Sequence, residues 1–195
     1  LNMLHYSFFQ ESPIKKGRKE NEIIDFIKSE PEFCDELIEF LQLRYASLSF
    51  VSHPLTVPYE TGLQTHCSYT RDQILAGFGY WNETERPEMR EGVLYLKDKK
   101  TYLLFIDLNK SEKDFSPTTM YNDYAVNETL FHWQSQSTTS ENSTRGQAYI
   151  HHKRNGEKII LFVREQKKNK YGTLPSVCLG TAEFVSSTGD QPMNN

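Results

Sequence analysis

The chain has 195 residues and a formal net charge of −4, which suits one domain with a small appendage. No apolar run approaches the roughly 18 residues of a membrane span, no signal-peptide pattern is present, and three scattered cysteines (Cys34, Cys67, Cys178) do not make a disulfide framework. These features exclude a helical membrane protein and a disulfide-rich secreted module. We expect a cytoplasmic protein that makes no membrane contact and, because it begins at Leu1, a fragment of a longer chain.

The first 60 residues are predicted to be a small helical segment. Apolar residues recur every three or four positions in two runs, Ile23, Ile24, Ile27 and Phe33, Leu37, Ile38, Leu41. Pro31 suits the first turn of the second helix. We predict helices over 20–28 and 31–46, and we expect this segment to couple the rest of the chain to another domain, because it is too small to bury a stable core alone.

Residues 67–195 are predicted to form the main domain. Thr70 and Gln73 have the spacing of a capping box, which marks the start of a helix. Six strand candidates follow, at 93–96, 102–108, 130–136, 147–152, 158–164 and 177–185. Asn155-Gly156 between two of them is typical of a hairpin. The expected fold class is α+β, with a curved antiparallel or mixed sheet that closes toward a small barrel.

The stretch between Lys110 and Arg145 is unusually rich in aromatic and polar side chains. It contains five aromatic residues within nineteen positions, Phe115, Tyr121, Tyr124, Phe131 and Trp133. Between and beside them stand Asp123, His132, Gln134 and Gln136. Flat rings beside amide and carboxylate groups are suited to a flat ligand with polar edges, whereas an aromatic plug at one end of a barrel would have a similar composition.

The sequence contains candidate ligands for two kinds of metal site, a zinc site and the magnesium site of a nuclease. The candidate ligands for zinc are His66, Cys67, His132, His151 and His152. Adjacent histidines on a strand point to opposite faces and no zinc spacing accompanies them, so we expect no metal site. Asp107 with Glu165 and Lys167 resembles the carboxylate and lysine set of a magnesium-dependent nuclease, which is the alternative to a binding function.

Recognition of an extruded base uses the aromatic stretch more fully. Tyr121, Tyr124, Phe131 and Trp133 offer stacking faces, Asp123 can accept a hydrogen bond from a cytosine amino group, and Gln134 and Gln136 can read the remaining edge. Flipping a base costs a few kcal/mol, which one or two stacking contacts of about 1–3 kcal/mol each would offset. Residues 145–170 hold eight basic and two acidic side chains and are suited to phosphates.

Several runs in this region resemble a known bacterial domain. They are Arg90–Tyr95, Leu108–Asp114, Ser116–Tyr121, Asp123–Ala125, Leu130–Ser137 and Leu161–Glu165, and the resemblance covers residues 68–193. The chain is similar over this range to the C-terminal target-recognition domain, formerly of unknown function, of SauUSI-type modification-dependent restriction enzymes. In those enzymes the domain follows a phospholipase-D-type nuclease and a superfamily 2 helicase.

The resemblance implies an SRA-like (PUA-like) domain that reads 5-methylcytosine or 5-hydroxymethylcytosine in duplex DNA. ATP hydrolysis and cleavage would belong to the helicase and nuclease domains of the same parent chain, and residues 1–60 would be the coupling segment. We therefore predict a non-catalytic reader without a cofactor. Its base pocket would be Tyr121, Asp123, Tyr124, Phe131, Trp133, Gln134 and Gln136; its phosphate contacts would be Lys110, Lys113, Ser137, Thr138, Arg145, Lys153 and Arg154. A third hypothesis is a regulatory domain that docks on a helicase without contacting DNA.

Overall fold

The computed structural model describes residues 1–9, 22–82, 85–109, 122–188 and 192–195. The chain divides into two compact units, Leu1–Met89 and Arg90–Asn195. The described residues form five α-helices and a mixed sheet of five strands, so the predicted α+β class is confirmed. Phe115, Tyr121, Lys110 and Lys113 lie outside the described residues.

The first unit is mainly helical. Its elements are α1 (Asn2–Phe9), α2 (Glu22–Ser29), α3 (Pro31–Ala46), β1 (Ser68–Tyr69) and α4 (Arg71–Gly77). The two helices predicted in this region correspond to α2 and α3, and Pro31 occupies the first turn of α3. No residue of α3 is buried, whereas Tyr6 of α1 and Ile23 of α2 are.

Helix α4 begins with the predicted capping box. The hydroxyl of Thr70 accepts a hydrogen bond from the backbone N–H of Gln73 at 3.2 Å, and the Gln73 side-chain oxygen accepts one from the N–H of Thr70 at 2.8 Å. These bonds satisfy backbone donors that the first turn of a helix leaves free. Ile74 and Leu75 are fully buried. This prediction is confirmed because the signal is local.

The second unit is built around strands. They are β2 (Val93–Leu96), β3 (Thr101–Asn109), β4 (Tyr124–Ala125), β5 (Phe131–His132), β6 (Lys158–Gln166), β7 (Lys168–Asn169), β8 (Gly172–Thr173) and β9 (Ser176–Ala182). The main sheet has the order β9-β6-β3-β2 in this unit. Strands β3 and β6 are parallel, and the other two pairings are antiparallel. Near-continuous apolar runs in β3 and β6 are typical of strands that are covered on both faces.

One helix and part of the aromatic stretch cover one face of this sheet. The helix is α5 (Thr144–Ile150), whose Tyr149 is buried. Tyr149 packs with inward residues of β3 and β6, namely Tyr102, Leu104, Ile106, Ile159, Leu161 and Val163. Phe131 and Trp133 pack against the same cluster. The core of the second unit therefore includes two rings that the sequence suggested for a ligand.

The strand predicted at 147–152 is wrong, because α5 occupies most of it. Ser143 caps this helix, since its hydroxyl accepts a hydrogen bond from the N–H of Gly146 at 3.0 Å. The parallel pairing of β3 and β6 also requires a long crossover connection between them, and α5 lies in that connection. Asn155-Gly156 accordingly forms a turn between α5 and β6, with Gly156 at φ +69, instead of a hairpin between two strands.

The expected closure toward a barrel is also wrong. Closure requires the edge strands of a sheet to pair with each other, and β2 pairs only with β3 among the described residues. Strands β4 with β5 and β7 with β8 form separate two-stranded ribbons. The strand predicted at 130–136 shortens to β5, since residues 133–135 leave that ribbon and pair with residues 193–195.

Candidate functional site

The site hairpin, defined as residues 122–135, carries most of the predicted pocket residues. Its strands pair Tyr124 with His132 and Ala125 with Phe131. Asn127 shapes the turn, because its side-chain oxygen accepts hydrogen bonds from the N–H groups of Thr129 and Leu130 at 2.8 and 2.9 Å. Such side-chain bonds to nearby backbone are the usual reason for asparagine in a turn. The hairpin therefore has a defined local conformation.

Asp123 and Gln134 hold the two arms of the site hairpin together. The Asp123 carboxylate accepts a hydrogen bond from the backbone N–H of Gln134 at 2.8 Å. The Gln134 side-chain oxygen in turn accepts one from the N–H of Asn122 at 2.6 Å. Asp123 is 6% exposed. The two predicted base-reading residues thus meet in the structure, and each accepts one of two hydrogen bonds that join the arms of the hairpin.

Residues 193–195 pair with the second arm of the site hairpin. The Gln134 side-chain amide donates to the Asn194 side-chain oxygen at 2.7 Å. Trp133 and Asn195 exchange two backbone hydrogen bonds of 2.9 and 2.8 Å, and the N–H of Ser135 donates to the carbonyl of Met193 at 2.9 Å. Sequence reasoning did not find this role of residues 193–195. Their partners are about 60 positions away, and no local pattern marks such a pairing.

The aromatic rings of the site hairpin fall into two groups. Phe131 and Trp133 are half-buried against the core, and Trp133 makes an edge contact with Tyr149 at 5.2 Å between ring centroids. Tyr124 is 45% exposed and stacks on His132 with 4.7 Å between centroids and 17° between planes. The His132 Nδ1 atom lies 2.9 Å from the carbonyl oxygen of Asn122. The exposed ring of Tyr124 is therefore held in place by the ring of His132.

Gln136 is committed to the core of the second unit. Its side-chain oxygen accepts a hydrogen bond from the Tyr149 hydroxyl at 3.0 Å. Burial raises the pKa of that hydroxyl above its ordinary value of 10, although the positive charge of Arg145 acts in the opposite direction. The hydroxyl remains a donor at neutral pH. Gln136 thus connects the segment after the site hairpin to α5.

Of the described phosphate-contact residues, two precede α5 in the chain, one lies in its first turn and two follow it. Ser137 is half-buried, Thr138 is exposed, and Arg145 is exposed in the first turn of the helix. Lys153 and Arg154 are exposed in the turn that follows the helix. The Lys153 ammonium lies 2.8 Å from the carboxylate of Glu183, in a pair that is open to solvent.

A family model described as "Domain of unknown function (DUF3427)" matches residues 63–195. The chain belongs to this family. No curated protein and no solved structure gives a match. In the part of the chain that the structure describes, none of the helices is both long and apolar enough to span a bilayer. We call residues 63–195 the family domain; all of the predicted pocket and phosphate-contact residues fall within it.

The histidines of the family domain do not gather around a metal position. The buried His152 uses both ring nitrogens: Nε2 accepts a hydrogen bond from the N–H of Phe184 at 3.1 Å, and Nδ1 lies 3.2 Å from the carbonyl oxygen of Glu157. His132 stacks on Tyr124. Over the described ranges, no group of three or more His, Cys, Asp and Glu side chains is arranged to hold an ion.

The residues of the nuclease alternative are separated by the sheet. Asp107 is paired across β3 and β6 with Arg164, whose guanidinium makes two contacts with the carboxylate. Glu165 is the next residue of β6 and is exposed, so it points to the opposite face. Lys167 is exposed in the turn after β6. The structure therefore does not bring Asp107 and Glu165 to one metal position.

Proposed function

We propose that the family domain is an SRA-like target-recognition domain that binds 5-methylcytosine or 5-hydroxymethylcytosine in duplex DNA by base flipping. In this proposal it is the specificity domain of a cytoplasmic, ATP-dependent type IV restriction enzyme of the SauUSI type. The observation that carries the proposal is the site hairpin, where Asp123, Tyr124 and Gln134 meet in a single hydrogen-bonded structure. The resemblance of residues 68–193 to the target-recognition domain of SauUSI-type enzymes gives the second support.

Tyr124 is the proposed stacking partner of the flipped base. Its ring is 45% exposed and backed by the parallel ring of His132, so one face is supported while the side chain stays accessible. A stacking contact of about 1–3 kcal/mol offsets much of the few kcal/mol that flipping costs. Phe131 and Trp133 support the hairpin from the core side. The pocket role predicted for them becomes a supporting role in this proposal.

Asp123 is the proposed acceptor for the amino group of the cytosine. The hydrogen bond from the Gln134 N–H fixes the orientation of its carboxylate, which favours recognition of a donor at one defined position. Because Asp123 is only 6% exposed, the base reaches it only if the surface around it rearranges. Substitution of Asp123 is therefore the first mutagenesis test of this role.

Exposed basic residues of the family domain supply the remaining binding energy. Arg145, Lys153 and Arg154 are exposed on and after α5. They belong to the stretch 145–170, which has eight basic and two acidic side chains. Contacts of lysine and arginine with phosphates release counterions and carry no sequence information. These residues would therefore bind methylated and unmethylated duplexes equally, while the site hairpin would discriminate between them.

Docking on a helicase or nuclease domain of the same parent chain is the second candidate function, and α3 favours it. This helix exposes six large apolar side chains, Phe33, Ile38, Phe40, Leu41, Leu43 and Tyr45. Exposed apolar surface of this kind marks interaction sites in many proteins. Docking through residues 1–60 is compatible with DNA recognition by the family domain. If docking were the only function, the purified chain would not bind DNA.

A mobility-shift titration tests the proposal. The 195-residue chain is titrated into two duplexes of identical sequence at one fixed salt concentration, one with 5-methylcytosine and one with cytosine. A methyl group in an apolar niche is worth about 1–3 kcal/mol, so we expect the methylated duplex to bind tighter by about tenfold or more. Equal affinities would contradict modified-base recognition. Incubation of the methylated duplex with the chain and Mg²⁺ should leave the DNA intact, and cleavage would favour the nuclease alternative.

A further inference from the structure

A second hairpin projects from the main sheet of the family domain. We call residues 167–173 the basic hairpin; its strands β7 and β8 pair Lys168 with Thr173 and Asn169 with Gly172. The Asn169 side-chain oxygen accepts a hydrogen bond from the N–H of Tyr171 at 2.8 Å, and Gly172 has a φ of +129. These two features make a tight tip. Tyr171 at this tip is 84% exposed.

The basic hairpin combines positive charge with a single aromatic ring. Lys167, Lys168 and Lys170 lie within four positions and are exposed. The Lys170 ammonium is 4.8 Å from the centroid of the Tyr171 ring. No acidic residue occurs between Glu165 and Glu183. The other tip residues are asparagine, glycine and threonine, so the hairpin lacks the apolar surface of a protein-docking or membrane-inserting element.

An internal ion pair fixes the end of the basic hairpin that joins the main sheet. Leu174 closes the hairpin by donating its N–H to the carbonyl of Lys167 at 3.0 Å, and its own carbonyl accepts a bond of 3.0 Å from the Arg164 guanidinium. Arg164 is in turn held by Asp107, and the two side chains are only 11% and 13% exposed. The tip is exposed, whereas the end of the hairpin next to the sheet is fixed to β3 and β6. This rigid attachment limits the entropy lost when the tip binds a ligand.

We infer that the basic hairpin is a second contact to duplex DNA, in which its lysines bind phosphates and the Tyr171 ring packs against a base. The inference rests on the proposed function, because it takes the ligand of the family domain to be duplex DNA. Clustered lysines neutralise backbone phosphates, and an aromatic ring stacks on a base whatever its sequence. The contact therefore adds affinity without adding preference for a modified base. Tyr171 is absent from the predicted pocket and phosphate-contact residues. The three lysines belong to the basic stretch 145–170 but are not among the seven residues named as phosphate contacts.

The test measures affinity for methylated and unmethylated duplexes over a range of salt concentrations. The variants are Tyr171→Ala, Tyr171→Phe and a triple variant with Lys167→Gln, Lys168→Gln and Lys170→Gln. Tyr45→Ala, a tyrosine of α3 that is 79% exposed, is the matched ring control. A double variant with Lys28→Gln and Arg44→Gln is the charge control, because these two exposed basic side chains lie on α2 and α3, outside the family domain. Thermal melts confirm that each variant is folded.

The expected result is a loss of general affinity with retained preference. Tyr171→Ala should weaken binding of both duplexes by about tenfold, the size of one stacking contact, and Tyr171→Phe should restore it. The lysine triple variant should reduce the slope of log affinity against log salt by about 3. The two controls should change neither quantity.

The outcomes separate this inference from the proposed function. If the wild-type chain prefers the methylated duplex and the hairpin variants bind like wild type, the hairpin inference fails and the proposed function stands. If the hairpin variants lose affinity but the wild-type chain has no preference for the methylated duplex, the hairpin inference stands and modified-base recognition fails. If the wild-type chain binds neither duplex, both fail.

Discussion

The two hairpins of the family domain differ in how they are held. The site hairpin is fixed along its length, by Asp123 and Gln134 between its arms and by residues 193–195 beneath it. The basic hairpin is fixed at its base by Arg164 and presents Tyr171 at 84% exposure. Reading a base edge requires groups in fixed positions, whereas contact with a DNA backbone requires reach and charge. In our account the first hairpin gives specificity and the second gives affinity.

Breaking the Arg164–Asp107 ion pair that anchors the basic hairpin should have the largest effect on stability. Arg164→Gln leaves the nearly buried carboxylate of Asp107 without its guanidinium, and removal of one partner of such a pair costs about 3 kcal/mol. Urea unfolding should show this loss. A smaller loss is expected when Arg164→Gln is combined with Asp107→Asn, since no unpaired charge then remains. Lys153→Gln breaks the solvent-exposed pair with Glu183 and should leave the unfolding curve unchanged.

Asp123 substitutions should sharpen the distinction between holding the site hairpin and reading a base. Asp123→Ala leaves the N–H of Gln134 without its acceptor, which should cost about 1–3 kcal/mol of unfolding free energy and abolish base preference. Asp123→Asn keeps an oxygen acceptor and should retain most of the stability. We expect it to reduce the preference for the methylated duplex in titrations at fixed salt. Full preference in a folded Asp123→Asn variant would assign Asp123 to structure alone.

Tyr124 should affect binding while leaving stability almost unchanged. The exposed ring contributes little to the core, so Tyr124→Ala should change the free energy of unfolding by less than about 0.5 kcal/mol. Affinity for the methylated duplex should fall by about tenfold through loss of a stacking contact. Tyr124→Phe keeps the ring and serves as the matched control. Equal losses for both duplexes would show that Tyr124 acts like Tyr171, and the comparison between the hairpins would then fail.

Local signals explain which parts of the fold could be predicted from the sequence. The capping box of Thr70 and Gln73 and the position of Pro31 each depend on residues within one helical turn, and both helices begin where predicted. The strand predicted at 147–152 is wrong because nothing within these six residues reveals a crossover between parallel strands. That crossover is set by the pairing of β3 with β6, which are separated by 48 residues between Asn109 and Lys158.

The composition of the aromatic stretch located the site hairpin but could not sort its rings. Tyr124, Phe131 and Trp133 have similar chemistry, and only packing against Tyr149 and its neighbours distinguishes the supporting rings from the exposed one. Gln134 and Gln136 were predicted to read a base edge, whereas the structure shows both in internal hydrogen bonds. Their partners, Asn122 and Asn194 for Gln134 and Tyr149 for Gln136, lie 12 or more positions away in the sequence, so no local pattern reveals these bonds. Tyr171 was missed because a turn rich in lysine is ordinarily a solvated surface.

The most direct test of the central claim is a crystal structure of the chain with a duplex that contains one 5-methylcytosine. We predict that this base lies outside the helix, with its ring against Tyr124 and its amino group within hydrogen-bonding distance of the Asp123 carboxylate. A methylated cytosine that remains stacked and paired in the duplex, with the site hairpin away from the DNA, would contradict the account.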